Sequence, residues 1–200
     1  MFNEAKLDSV REVINIGIGE AADSLSKLVN TPVIIKIPDI YVIKQAEIYE
    51  FFQKELKTIG VYISQDFTGI GKGKTFLFYS TEASISLLKN ICGEITDESC
   101  LTENEINTLN EIGNIIIGSC MCKMADVLQS KIEFELPQVI INEPENYFEN
   151  ILDGPKEASR AIVIKNEITV RGTDTQGYIF VVLSFDKFDM VLDSLMKSTK

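Results

Sequence analysis

The sequence of 200 residues contains no histidine. Catalysis by Ser-His or Cys-His pairs, or by a histidine general base, is therefore excluded. None of the four cysteines has the C-x-x-C spacing of a zinc site, and no histidine is present to complete one. We expect these cysteines to be reduced thiols: Cys92, Cys100, Cys120 and Cys122. Any chemistry must use carboxylates, amides, lysines or hydroxyls.

An excess of positive charge is also lacking, because 30 acidic residues outnumber 19 basic ones and the net charge is -11. Nucleic acids and anionic membrane surfaces select basic patches, so neither is an expected partner. No apolar run approaches the ~18 residues of a membrane span. The start, "MFNEAKLDSVREV", lacks the basic leader and apolar block of a signal peptide. We expect a cytoplasmic protein without membrane insertion.

Two glycine-rich stretches look like nucleotide-binding loops but lack the required context. The stretch "GIGEAA" at 17–22 fits the dinucleotide pattern G-x-G-x-x-G/A, which must follow a strand. The apolar residues around it recur every three or four positions, which predicts one helix over about 4–29. In "GIGKGKT" at 69–75 a strand follows the glycines where a P-loop needs a helix, so a hairpin turn is predicted.

An internal repeat organises the chain. The segment "LDSVREVINIGIGEAADSL" recurs 99 residues later as "INTLNEIGNIIIGSCMCKM", and the second copy begins after a capping box of Thr102 and Glu105. The pairs that are identical at this offset include Glu12 and Glu111, Asn15 and Asn114, Gly19 and Gly118, and Pro38 and Pro137. Gly17 becomes Ile116 instead. We therefore expect Gly19 to allow close packing of a neighbouring element and Gly17 to be dispensable.

The elements after each long helix repeat as well. An apolar extended run comes first, "TPVIIKIPDIYVI" or "SKIEFELPQVII". Two strand-like stretches follow, "LKTIGVYISQDF" with "KTFLFYS" and "RAIVIKNEITV" with "GYIFVVLSF", the latter pair around "RGTDTQ". A helix closes each half, at 80–93 and 186–198, and "ENYFENILDG" predicts an extra helical turn in the second half.

This order predicts an α+β fold with an internal pseudo-two-fold repeat of helix, strand, hairpin and helix. The long helices should pack on a shared, mostly antiparallel sheet. We expect one domain over 1–200 that consists of two homologous halves, about 1–98 and 99–200.

Polar residues form a stripe on each long helix. The first stripe is Asp8, Glu12 and Asn15, and the second stripe is Asn107, Glu111 and Asn114. Spacings of three and four place each set on one outward face, beside the apolar face. A solvated surface explains one such stripe. Asn is a poor helix former, however, so its persistence in both helices while neighbouring surface residues change favours a function.

A carboxylate and an amide can act without histidine or metal. An amide can hold a water by hydrogen bonds, and in phosphoryl transfer a side-chain amide that aims the attacking water is an established device. The carboxylate could then pair with a lysine of the substrate.

The motif Asp8-x3-Glu12-x2-Asn15-x22-Pro38 and its second copy, which ends at Pro137, resemble the CheC/CheX/FliY family of chemotaxis phosphatases. The resemblance covers essentially the whole chain, and the two complete copies look like CheC. It implies dephosphorylation of the response regulator CheY. Glu12 and Glu111 would pair with the regulator's active-site lysine, while Asn15 and Asn114 would orient the water that attacks its aspartyl phosphate.

Further properties follow from the same resemblance. Asp8 and Asn107 would contact the partner, and the Mg²⁺ ion would belong to the regulator, so no cofactor of its own is expected. CheC members also bind the deamidase CheD, a partnership that no residue of this chain marks.

Two positions depart from the family pattern. The family often has Asp or Ser at the first motif position, as at Asp8 but not at Asn107. Glycine commonly precedes the motif Asn, as at Gly113 but not at Ile14. We expect both stripes to bind the regulator and rank the first slightly higher. The alternatives are a non-catalytic module that binds a regulator, motor or receptor, and a nucleotide-dependent enzyme.

Overall fold

A computed structural model describes residues 4–44, 47, 50, 51, 54, 60–93, 95, 97, 101–141 and 159–184. The predicted helical turn at 145–154 and the predicted closing helix at 186–198 lie outside these residues. The helices are α1 (Glu4–Leu28), α2 (Thr81–Cys92) and α3 (Glu103–Val127). The strands are β1 (Val33–Lys44), β2 (Gly60–Thr68), β3 (Gly73–Ser80), β4 (Glu133–Phe134), β5 (Gln138–Ile141), β6 (Ser159–Val170) and β7 (Thr173–Ser184).

The seven strands form one sheet in the order β1-β6-β7-β3-β2-β4, with β5 also paired to β2. All of these strand pairs are antiparallel, which confirms the predicted α+β class with its antiparallel sheet. The turn of the β2–β3 hairpin lies at 69–72, within the glycine-rich stretch, and Phe67 pairs with Gly73 across it. The β6–β7 turn is shorter than predicted: Arg171 and Gly172 alone form it, both at positive φ, as a type I′ hairpin requires.

The strand order is symmetric about the centre of the sheet. The two hairpins meet at β7 and β3 in the centre, and the strand that follows each long helix pairs with the hairpin of the other half. Ile40 pairs with Ile164, and Val139, 99 residues after Ile40, pairs with Ile63. The pseudo-two-fold repeat and its division into halves stay predictions, which this register supports.

The long helices and one face of the sheet enclose the main core. Helix α1 buries one apolar face, formed by Val10, Val13, Ile14, Ile18, Ala21 and Leu25, as its periodicity predicts. Helix α3 begins at the predicted capping box: Thr102 N donates to Glu105 Oε2 at 2.6 Å, and Glu105 N donates to Thr102 Oγ1. No helix in the described part of the chain is long and apolar enough to cross a membrane.

The packing glycine of α1 is Gly17, so the expectation for Gly19 was wrong. A Cβ on Gly17 would lie 2.8 Å from the backbone oxygen of Ser119 and 2.9 Å from the Cα of Cys120. Gly17 therefore lets α1 approach the backbone of α3. A Cβ on Gly19, or on Gly118, would meet nothing within 4 Å. A glycine that is identical in both copies is therefore not the one that makes the close contact. At the contact between the helices, Gly17 of α1 faces Ser119 and Cys120 of α3.

Candidate active site

The first stripe lies on the exposed face of α1. The side chains of Asp8, Glu12 and Asn15 are all exposed. Together with Arg11 and Ile16 they line an open surface depression of about 530 Å³. The helical period of the apolar residues explains this arrangement: because they bury one face of α1, the three polar residues lie on the opposite, exposed face. The structure therefore brings the three predicted residues of the first copy to one concave surface.

The second stripe lies on the corresponding face of α3. Asn107, Glu111 and Asn114 are exposed, while Leu109, Ile112 and other apolar residues of the same helix are buried. Both copies thus present a carboxylate and, one turn later, an amide to solvent. The two amides differ in their surroundings.

Asn114 is hydrogen-bonded to the sheet through Gln65. Gln65 Nε2 donates to the backbone oxygen of Glu135 at 3.0 Å and to Asn114 Oδ1 at 3.4 Å. Gln65 is only 3% exposed, and its Oε1 has no hydrogen-bond partner. An unpaired buried acceptor costs about 1–3 kcal/mol, so Gln65 is an expensive residue for stability alone. Such residues often serve a function.

The backbone oxygen of Glu135 lies at an irregularity in the edge of the sheet that β4 and β5 form together. Phe134 pairs with Phe67 and Gln138 pairs with Ser64, so three residues of the edge strand lie opposite two of β2. This bulge includes Pro137, the proline of the repeated motif. In the first copy Pro38 lies at a corresponding register shift, between Lys36 and Asp39 of β1. The motif proline therefore marks a break in pairing on the sheet beneath each long helix.

Gly113 lets α3 come close enough for this contact. A Cβ at this position would lie 2.7 Å from Cδ1 and Cγ2 of Ile63, a buried residue of β2. Alternation along β2 places Gln65 on the same face as Ile63, under the next residue of the helix. The glycine that precedes the motif Asn thus has a packing role in the second copy.

The first copy has no matching hydrogen bond. Ile14 precedes Asn15 and is fully buried, and Asn15 has no hydrogen-bond partner among the residues that the structure describes. The register of β6 against β1 places Asn166 at the position that Gln65 occupies in β2. Asn166 Oδ1 instead accepts a hydrogen bond from Tyr79 at 3.1 Å. The amide of the first stripe is therefore not held by the sheet.

Two cysteines of α3 have raised pKa values. Complete burial raises the pKa of Cys120 to about 12, so this thiol stays protonated at neutral pH. The pKa of Cys122 is raised by burial first and then by the nearby carboxylates of Asp126 and Glu20. Within the described ranges, no cluster of cysteine, aspartate or glutamate side chains could hold a metal ion. The polar groups that the two stripes present are carboxylates and amides.

Gln65 is the functional candidate that the sequence patterns did not single out. A usable signal exists: Val61, Ile63 and Phe67 alternate along β2 and face the core, and Gln65 interrupts them. A polar residue at an inward strand position requires a partner. Nothing in the sequence shows that this partner is Asn114, because the contact depends on how α3 lies on the sheet.

Comparison with known proteins gives two informative sequence relatives, although no protein-family model matches the chain. "CheY-P phosphatase CheC" of Bacillus subtilis (strain 168) is 26% identical over 208 residues, which cover 97% of this chain and 95% of CheC. "Flagellar motor switch phosphatase FliY" of the same organism is 29% identical over 140 residues. That match covers 69% of this chain but 36% of FliY.

Solved structures share the fold. FliY from Thermotoga maritima has a TM-score of 0.72 at 21% identity, with 99% of this chain and 98% of that chain covered. A chain of the FliG–FliM complex from H. pylori has a TM-score of 0.68 at 13% identity, with coverages of 96% and 100%. CheX from Desulfovibrio desulfuricans has a TM-score of 0.54 at 14% identity, with coverages of 85% and 97%. By sequence and by fold together, the chain is similar to the CheC/CheX/FliY proteins.

Proposed function

We propose that this protein is an aspartyl-phosphate phosphatase that dephosphorylates a CheY-type response regulator in chemotaxis signalling. One observation carries the proposal: each long helix presents an exposed carboxylate and, three residues later, an exposed amide. The sequence relative CheC is named as a CheY-P phosphatase, and the likeness to it spans nearly all of both chains.

The two residue types divide the work. Glu12 and Glu111 dock the regulator by pairing with a lysine beside its phosphoaspartate. Asn15 and Asn114 enter that site and hold a water in line with the phosphorus by hydrogen bonding to it. Positioning and charge stabilisation supply most of the catalysis in phosphoryl transfer, so a carboxylate and an amide suffice on this side.

The remaining catalytic groups belong to the partner. We assign the Mg²⁺ ion to the phosphorylated regulator, where it neutralises the phosphoryl oxygens. Asp8 and Asn107 contact the regulator at the start of each stripe. The CheD partnership stays a prediction.

The fold shared with a chain of the FliG–FliM complex supports a second candidate, a non-catalytic module that binds a regulator or the motor. Both candidates predict binding, and only the first predicts turnover. The test is the phosphate lifetime of a CheY-type regulator, phosphorylated with a small phosphodonor and then mixed with a substoichiometric amount of this protein. Accelerated loss of phosphate supports the phosphatase. Co-purification of the two proteins with an unchanged phosphate lifetime supports the binding module.

A further inference from the structure

We propose that Gln65 is a positioning residue for the second stripe: it holds the Asn114 carboxamide in a fixed orientation before the partner binds. The inference rests on the proposed function, because it assigns a role within the same reaction. Gln65 itself is buried and does not reach the surface where a regulator would dock.

The orientation of Gln65 follows from its two contacts. Its Nε2 lies within hydrogen-bond distance of two oxygens, the backbone oxygen of Glu135 and Oδ1 of Asn114. An amide nitrogen carries two hydrogens, so both contacts can be made at once. The reverse orientation would place Oε1 of Gln65 against the Glu135 carbonyl, and two acceptors would then face each other. The main-chain oxygen of Glu135 therefore fixes which end of Gln65 faces α3.

The orientation of Asn114 follows in turn. Because Gln65 presents a donor, the carbonyl end of the Asn114 carboxamide turns toward the sheet and its Nδ2 turns away from it. A carbonyl oxygen has two lone pairs. One accepts from Gln65, and the other remains available to a water on the exposed side of the helix. The side chain that is to orient water is thus itself oriented from below.

Only the second stripe has this support. Gly113 brings α3 onto Ile63, which places Asn114 within reach of β2. In the first copy Ile14 fills the position of that glycine, and Asn166 accepts a hydrogen bond from Tyr79. Asn15 must therefore lose its rotamer freedom when the partner binds, whereas Asn114 has lost part of it already. This difference in rotamer freedom should therefore change kcat more than the half-saturating concentration of regulator.

The kinetic test isolates each stripe. In an Asn15→Ala background only the second stripe is complete, and in an Asn114→Ala background only the first is. Gln65→Met, which keeps the length of the side chain but removes its donor, is introduced into both backgrounds. Saturation curves for dephosphorylation of a CheY-type regulator then give kcat and the half-saturating concentration. We expect kcat of the second stripe to fall about fivefold, the loss of one hydrogen bond, at an unchanged half-saturating concentration.

The first stripe serves as the folding control and should keep its kcat in the Gln65→Met protein. An unchanged kcat at the second stripe, an equal loss at both stripes, or a change confined to the half-saturating concentration would overturn the positioning role. If wild-type protein does not shorten the phosphate lifetime at all, the proposed function fails, but the orientation can still be tested.

The orientation of Asn114 can be tested by NMR without a substitution at Gln65. The NMR order parameters of the side-chain amides of Asn15 and Asn114 are compared in wild-type protein, with Asn→Ala variants used for assignment. The account predicts a more rigid amide at Asn114. Equal order parameters at the two positions would contradict it, whatever the enzymatic result.

Discussion

Gly113 of α3 lies directly against the side chain of Ile63 in β2, and a Cβ at this glycine would come within 2.7 Å of two carbons of Ile63. The substitution Gly113→Ala should therefore lower the free energy of unfolding by about 1–3 kcal/mol, because Ile63 is fully buried and a fixed core must shift. Urea denaturation measures the change. Alanine is the better helix former, so propensity alone predicts the opposite sign.

Gly118 is the matched control for this change. It lies five residues further along the same helix, and a Cβ there would meet nothing within 4 Å. Gly118→Ala should raise the free energy of unfolding by up to about 1 kcal/mol. If Gly113→Ala stabilises the protein as much as Gly118→Ala does, the close contact with Ile63 is not a constraint.

Gly17 and Gly19 should respond in opposite directions. Gly17→Ala places a Cβ against the backbone of Ser119 and Cys120, which cannot rotate away, so the free energy of unfolding should fall by about 1–3 kcal/mol. Gly19→Ala fills open space in a helix interior and should raise it by up to about 1 kcal/mol. Thermal unfolding of the two variants side by side gives the sign of each effect. A stabilised Gly17→Ala protein would mean that α1 and α3 do not pack through this glycine.

The carboxylates of the stripes should act in docking. The double variant Glu12→Gln and Glu111→Gln keeps the size of the side chains and one acceptor oxygen at each position but removes both charges. We expect the half-saturating concentration of regulator to rise by up to about fivefold, since exposed ion pairs contribute about 0.2–1 kcal/mol. The difference from wild type should shrink in 0.5 M salt, because salt screens exposed charges.

A double variant with the same net charge controls for long-range effects. Asp23 and Asp126 are exposed residues of α1 and α3 outside the stripes. Asp23→Asn with Asp126→Asn should leave the half-saturating concentration near that of wild type. Equal effects of the two double variants would assign the change to overall charge rather than to docking at the stripes.

Cys120 predicts a loss of stability in alkali. Burial raises its pKa from 9.0 to about 12 in the folded protein. Below pH 9 the thiol is protonated in both states and contributes no pH dependence. Between about pH 9 and 12 only the unfolded thiol ionises, so the free energy of unfolding should fall by up to about 1.4 kcal/mol per pH unit from this group. Denaturant titrations of wild type and Cys120→Ala across this range should differ in slope, and parallel curves would contradict the assignment.

The sequence was informative where the cause of structure is local. Periodicity predicted α1, the pair Thr102 and Glu105 predicted the start of α3, and glycine spacing predicted the β2–β3 turn; the structure confirms all three. The same periodicity placed both stripes on exposed faces. These features depend on neighbours within a few residues along the chain.

Features that depend on tertiary packing were predicted poorly. The roles of Gly17 and Gly19 were exchanged, because only the crossing of α1 over α3 decides which glycine meets a backbone. Leu28 lies three residues after buried Leu25, as the helical period requires of a core residue, yet it is 52% exposed. The bond between Gln65 and Asn114 joins residues 49 positions apart, and no local pattern encodes it.

The most direct test of the phosphatase assignment is the phosphate lifetime of a CheY-type regulator in the presence of the double variant Asn15→Ala and Asn114→Ala. Both amides are exposed, so the substitutions should leave the fold intact, as circular dichroism can verify. The account predicts that the double variant loses about 10²-fold or more of the acceleration seen with wild-type protein, since each site would lack the group that positions water. A folded double variant that dephosphorylates the regulator as fast as wild type would contradict the account.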